Sequence, residues 1–535
     1  MYEKFSGWSL LFAHYLKRDF GKIILWIVSI VLFSAGFVPA FKEIANGNGL
    51  IGMFETLQNP AMISMVGPTP IDVAKDYTIG AMYAHEMLLF CGLFAMIISM
   101  LHVIGHTRKE EELGLTELVR SFQIGRQANS LAVLVEIVLI NGLIAIFTFV
   151  MMTIFNVETI SLQGALLFGS TIGIAGIMGA CIALVMAQVM PTSSSAVGTS
   201  LGIVGLLYII RAGTDVSNIE WSKVNPLGWT YLTYPFTDNN WFYILIAFLF
   251  SIVIFVLAMI LEGSRDMDSS YIPEKKGRAN AKKSLLSIPG LLYKINKGTI
   301  ISWLIAYLVM GMAYGSIYGD MQTFIESNEM IKQMFAHSNM SIESSFTSTI
   351  MVVMISLVAI LPITIVNKLF SEESKLHLNQ IYSTKVTRRK VYWSTIVLAL
   401  LSSIFGVLVV TLSLGMTGIN AMDQQSELDL KDFLFAGYNY LPAILIFTSI
   451  ASIALGWAPK LGKLAYVYLG YAFAISYFGS SLNLPEWFSN TSILNLISQM
   501  PKENFDTMTF VLLSIVSIVF IVFGYVGYRN RDLKE

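Results

Sequence analysis

Twelve stretches of this chain are long and apolar enough to cross a lipid bilayer. They run at roughly 23–41, 79–104, 128–155, 162–189, 195–212, 241–262, 299–318, 347–369, 392–416, 433–457, 463–481 and 508–528. A helix needs about 20 apolar residues to span the hydrocarbon core. Inside lipid, every backbone N–H and C=O must be satisfied within the segment or within a closed barrel. Continuous apolar runs satisfy that rule as helices, so the expected fold class is an all-α polytopic membrane protein of about 12 transmembrane helices. The runs 195–212 and 463–481 are short. Each follows a polar turn, Pro191-Thr-Ser-Ser-Ser and Pro459-Lys-Leu-Gly-Lys. Charged residues make up only 13 % of the chain, against about 25 % in soluble domains. That excludes an ordinary soluble enzyme. With a net charge of −1, it also excludes a nucleic-acid-binding chain. The two cysteines, Cys91 and Cys181, lie inside apolar runs and form neither a disulfide framework nor a CxxC metal site.

Lysine and arginine accumulate in the loops on the cytoplasmic side of a membrane. With the N-terminus placed inside, 27 of the 34 Lys and Arg fall in inner segments. The outer side keeps Lys42, Lys75, Arg211, Lys223, Lys332, Lys431 and Lys502. A missed or extra span in mid-chain would destroy this bias, so both termini are expected in the cytoplasm.

The halves repeat each other. Trp26 follows Lys22 at the head of the first run, and Trp303 follows Lys297 at the head of the seventh. Aligning Glu111 with Glu373 sets Ser121 on Ser383, Ile124 on Val386 and Arg126 on Arg388, while Pro191 and Pro459 occupy equivalent turns. Six spans per half is an even number, so the halves keep one orientation and form two parallel six-helix repeats. The expected division is a first repeat at 1–262, a basic cytoplasmic linker at 263–298 and a second repeat at 299–535. Phe5, Trp8, Phe12, Tyr15 and Leu16 recur at helical spacing and predict an amphipathic interfacial helix over 5–20.

The most informative loop follows the second span. Glu110, Glu111, Glu112 and Glu117 precede Arg120 and Arg126, with Leu113, Leu118 and Val119 as an apolar face. Acids first and bases last suit a helix dipole, so 108–126 is expected as a short helix beneath the membrane. The loop 370–390 repeats the form, with Glu372 and Glu373 first and Arg388, Arg389 and Lys390 last. One such helix per half suggests docking for two copies of a partner.

The pattern from Glu110 to Leu118, ending at Ile124-Gly-Arg126, resembles the cytoplasmic helix of ABC-2-type permeases. The fused twelve-span form is similar to polyketide-antibiotic (tetronasin-type) exporter permeases. The second-half loop departs from the pattern at Leu376, Asn379 and Gln380. The resemblance implies a transport subunit of a bacterial plasma membrane, powered by two separate ABC ATPase subunits. These would dock at Glu110, Glu111, Glu112, Glu117, Leu118, Arg120, Arg126, Glu372, Glu373 and Arg388. It implies a hydrophobic small-molecule or peptide substrate, with ATP and magnesium on the partner. The chain itself carries no P-loop: Gly456-Trp-Ala-Pro-Lys-Leu-Gly-Lys-Leu464 has the wrong spacing and lacks the hydroxyl. No catalytic residue and no cofactor are therefore expected on it.

Two carboxylates lie within spans, Glu86 and Glu136, and intramembrane acids are functional candidates by default. His85, His102 and His106 lie near the ends of the second span. His102 and His106 are four residues apart, but the sequence offers no evident third ligand, so no metal site is expected. The intramembrane acids keep a second reading open, a proton-coupled secondary multidrug transporter of six-plus-six architecture.

Overall fold

The computed structural model describes residues 2–45, 49–58, 60–273, 277, 279–319, 342–422, 428–478 and 485–532. All regular structure among them is helical. The chain divides into two compact units, Met1–Lys276 and Gly277–Glu535.

The first unit is built on six long helices: α1 (Trp8–Ala35), α2 (Ile79–His106), α5 (Ala128–Ile154), α6 (Leu162–Val189), α7 (Ser193–Ser217) and α8 (Phe242–Ser264). Two short helices, α3 (Arg108–Glu112) and α4 (Leu115–Arg120), form an elbow between α2 and α5. The second unit carries α9 (Ile288–Ser316), α10 (Ile342–Ser374), α12 (Arg388–Ala421), α14 (Leu441–Trp457), α15 (Leu464–Phe478) and α16 (Thr507–Asn530). Its elbow helix is α11 (His377–Tyr382), and α13 (Leu430–Asn439) leads into α14.

Among the described residues, eleven helices are long and apolar enough to cross a membrane, which makes this an all-α polytopic membrane protein. The twelfth expected run, 463–481, is helical over Leu464–Phe478, 15 residues or about 22 Å. Its end, 479–481, lies outside the described residues, as does 320–341 with Lys332. Residues 8–20 are not a separate interfacial helix. They are the first turns of α1, which starts after Gly7 in the left-handed region (φ 79°) and runs on without a break.

Within each unit the packing follows one scheme. The first long helix lies on the third, the second on the fourth, and the fourth on the sixth. Small residues permit the close approaches, as between membrane helices generally. A Cβ on Gly179 of α6 would stand 2.8 Å from backbone atoms of Met96 on α2. A Cβ on Gly524 of α16 would stand 2.6 Å from the carbonyl oxygen of Ser452 on α14. Helix starts are fixed by hydroxyl and carboxylate caps: Thr78 accepts from Ala81 N–H, Ser161 from Gly164 N–H, and Asp506 from Met508 N–H.

The far end of the first unit is tied by a buried arginine. Arg211 on α7 pairs with Asp215 at 2.9 Å and donates to the carbonyls of Met65 (2.8 Å) and Ser64. The rings of Tyr208 and Tyr231 flank it, and Tyr231 donates to Asp215.

Candidate functional site

The elbow after α2 is set by its turn. Gly114, at φ 71°, caps α4 in the left-handed region, and Leu376, at φ 62°, caps α11 in the same way. A left-handed leucine is uncommon. Its place opposite Gly114 shows that both units build the elbow on one backbone path. The register matches the pairing of Glu111 with Glu373.

Most charged side chains of the first elbow turn inward. Glu110 meets Arg18 at 2.8 Å and accepts from Tyr15 Oη at 3.1 Å. The Glu111 carboxylate receives both arms of Arg265, at 2.7 and 2.6 Å, a third guanidinium contact from Arg108 at 3.2 Å, and the Asp268 N–H at 2.8 Å. Glu112 accepts from Ser193 Oγ at 2.7 Å and from the same residue's N–H. Arg120 reaches Glu262 at 3.7 Å and the Arg126 carbonyl at 2.9 Å, and Arg126 donates to the Arg265 carbonyl. Of the predicted residues here, Glu112, Glu117, Leu118 and Arg126 are exposed. Leu118 is 64 % exposed, and Leu113, Leu115 and Phe122 are exposed beside it. The outer face of this elbow is therefore apolar with an acid at its edge.

The second elbow has the same inner frame and a different outer face. Glu373, buried, takes both arms of Arg531 at 2.5 Å each, and Arg388 donates to the Arg531 carbonyl at 2.5 Å. This trio reproduces Glu111, Arg265 and Arg126. In each unit an arginine after the sixth long helix clamps the elbow carboxylate, and an arginine opening the third long helix holds that clamp's carbonyl. Arg265 and Arg531 were missed in the sequence reading. The signal was available, since both follow the sixth span. Glu372 pairs with His377 at 2.7 Å. The exposed residues are mostly polar: Lys375, His377, Asn379, Gln380 and Lys385, with Leu376 as the apolar exception.

Directly behind the first elbow, α1, α2 and α5 enclose a second cluster. His102 and His106, one helical turn apart on α2, stack with ring centroids 4.1 Å apart. His102 Nε2 stands 2.9 Å from Glu136 Oε2 on α5. His106 Nε2 stands 2.8 Å from Asp19 Oδ2 on α1, and its Nδ1 stands 2.9 Å from the His102 carbonyl. Asp19 is also paired with Arg18 (3.0 Å) and Lys22 (2.5 Å). Trp26 and Tyr15 pack edge-on against the two imidazoles. The carboxylate of Glu136 is fully buried, and its Oε1 has no hydrogen-bond partner. One ligand atom from each of His102, His106 and Glu136 lies within 4.8 Å of the other two. The third donor beside this pair, which the sequence spacing did not disclose, is an acid 34 residues from His102 on the next long helix.

Glu86 is placed elsewhere. It lies sixteen residues before His102 on α2, roughly 24 Å along the axis at 1.5 Å per residue. Its Oε1 is buried without a hydrogen-bond partner. Its neighbour His85 bridges Tyr77 Oη (3.0 Å) and the Gly67 carbonyl (2.7 Å). The two intramembrane acids do not form one site.

Comparison with known proteins agrees with a membrane permease. The family model described as the C-terminal domain of the multidrug efflux system permease Rv1217c matches residues 285–529, inside the second unit. The chain is also 23 % identical over 537 residues to the multidrug efflux system permease protein Rv1217c of Mycobacterium tuberculosis, an alignment that covers 99 % of this chain and 96 % of the relative.

Proposed function

We propose that this chain is the membrane permease of an efflux pump that carries hydrophobic or amphipathic compounds out across the plasma membrane. The observation that carries the reading is its similarity, end to end, to a multidrug efflux permease. The fold is compatible with it, because more than half of the chain lies in helices of membrane-crossing character. The chain supplies the pathway. The basic ends of the helices face the cytoplasm, as the lysine and arginine bias requires.

The drive is assigned to two ABC ATPase subunits that dock beneath the elbows at 108–126 and 370–390. Two features support this reading. Each unit builds an elbow on the same frame of one glutamate and two arginines, and that frame ties the elbow to the ends of the third and sixth long helices. Force applied to an elbow then passes directly into those helices. The contact surface itself is Leu113, Leu115, Glu117, Leu118 and Phe122 in the first unit. Glu110, Glu111 and Arg120 hold that surface in place, while Glu112 and Arg126, exposed, both brace the elbow and remain open to the partner. In the second unit Glu373 and Arg388 belong to the frame, and Glu372 braces His377 at the elbow's start.

The test is a mild-detergent pull-down of the tagged chain from its host, with mass spectrometry and an ATPase assay on the eluate. Recovery of a P-loop protein at about two per chain supports the reading. A chain that purifies alone, without ATPase activity, and transports in response to a proton gradient refutes the ABC drive and supports a secondary transporter.

A further inference from the structure

We propose that His102, His106 and Glu136 bind one divalent transition-metal ion, with zinc as the best fit, between α2 and α5. Four observations lead there. The first is the donor set. Two imidazole nitrogens and one carboxylate oxygen are the ligands that zinc and its first-row neighbours take. All three residues are buried, and their ligand atoms lie within 4.8 Å of one another. Ligands of one tetrahedral ion at about 2.0–2.1 Å stand about 3.3 Å apart, so ångström-scale closure completes the site and leaves a fourth position open.

The second observation is the orientation of the donors. The His102 carbonyl can only accept, so His106 Nδ1 carries its hydrogen and donates there. That contact points Nε2 inward, as an outer-shell carbonyl does for a metal-binding histidine. Nε2 faces the Asp19 carboxylate at 2.8 Å, a place that calls for a cation, either a proton on Nε2 or a metal ion beside both.

The third is charge. Asp19 is matched by Arg18 and Lys22. Among the described residues no lysine or arginine pairs with Glu136, and its Oε1 is buried without a partner. A carboxylate among membrane helices whose one polar partner is an imidazole is costly, and a bound divalent ion offsets that cost.

The fourth is the comparison between the units. At the register fixed by Glu111 and Glu373, the positions of His102, His106 and Glu136 are Thr364, Lys368 and Leu398; at the register of Trp26 and Trp303 on the first long helices, Asn296 stands for Asp19. The corresponding long helices are built there without the cluster. The architecture does not require these residues, so they serve something particular to the first unit. A small cavity bordered by Tyr15, Glu110 and Asn129 lies on the elbow side of the cluster.

The experiment uses the full-length chain, purified in detergent with a tag free of histidine and equilibrated with Zn²⁺ or Co²⁺. The expected result is one equivalent of zinc by elemental analysis. Co²⁺ should give the visible absorption of a tetrahedral N/O site. Glu136→Gln and His102→Ala should each lower bound metal at least about tenfold, and Asp19→Asn should weaken affinity about 10–100-fold while keeping the stoichiometry. Wild-type protein that is monodisperse yet holds no stoichiometric metal and gives no cobalt spectrum overturns the proposal. The same holds if the Glu136→Gln protein, equally monodisperse, binds metal as the wild type does. Neither outcome bears on ATPase recovery, so the site and the transport reading stand or fall separately.

Discussion

Substituting Glu373 tests whether the elbow frame is structural. Its carboxylate is 1 % exposed and takes two guanidinium hydrogen bonds from Arg531, itself 16 % exposed. Removing one partner of a buried pair leaves the other charge uncompensated, at a cost of about 3–5 kcal/mol. Glu373→Gln and Arg531→Met should each fall in that range, a loss of roughly two to three and a half decades in the folded-to-unfolded ratio at about 1.4 kcal/mol per decade. Removing both charges behaves differently. Replacing a buried ion pair by apolar residues of similar volume is often neutral or stabilising. Glu373→Leu with Arg531→Met should therefore recover most of the loss. It should still fall short of wild type, because Arg531 Nε also donates to the Leu455 carbonyl at 3.1 Å. The assay is thermal unfolding of the detergent-solubilised chain, followed by tryptophan fluorescence and by the monodisperse fraction in size exclusion. Single variants that unfold with the wild type would show a pair that is solvated and worth little. A double variant as unstable as the sum of the singles would show that the two side chains do not interact. Either result refutes the frame argument. Glu111 and Arg265 should behave in the same direction.

Three further outcomes follow from the same geometry. Leu118→Asp and Phe122→Asp change exposed side chains, so unfolding temperature should stay within the effect of an ordinary surface substitution, about 0.5 kcal/mol, while ATPase recovered with the chain falls at least tenfold; unchanged recovery would remove this patch from the docking surface. Arg211→Met leaves Asp215 buried without its cation and removes a donor from the Ser64 and Met65 carbonyls, so it should cost about 3–5 kcal/mol, read as lost monodisperse protein and a lowered unfolding temperature. Gly524→Leu forces a side chain into the backbone of Ser452 on α14 and should destabilise the second unit by about 1–3 kcal/mol or more, whereas the same change at Gly470, where nothing lies within 4 Å, should be tolerated.

Helix existence was legible because lipid leaves the backbone few choices. Run length alone then locates most helix ends to within a few residues; the exceptions are the starts of α1 at Trp8 and α9 at Ile288, both well before the apolar runs at 23 and 299. The boundary error at the N-terminus has a physical cause. The aromatics of 5–20 signal amphipathicity, but no proline follows them before Pro39 and Gly21 sits on an open face, so nothing ends the helix before the bilayer. The repeat was legible through Glu111, Glu373, Arg126 and Arg388. Their function was read less well, because charge in a loop suggests solvent and partners. Here the carboxylates are the inner half of ion pairs whose other half lies 154 and 158 residues later. Sequence spacing carries no sign of such a contact until two copies of it can be laid side by side.

The His102–Glu136 contact was harder to read for a related reason. A histidine pair at i, i+4 fixes two ligands on one helix face, but a third ligand must come from another helix, and its position depends on packing rather than on periodicity. Repeat comparison is what turns the contact into an argument. A buried polar pair present in both units would be explained by the fold that both share, as the elbow frame is. This cluster occurs in one unit only. It places a carboxylate without a lysine or arginine partner between membrane helices, and the other unit packs the same helices with Thr364, Lys368 and Leu398 in its place. A buried carboxylate kept at a cost, where the other unit places Leu398 instead, points to a ligand, and the two imidazoles beside Glu136 favour a cation.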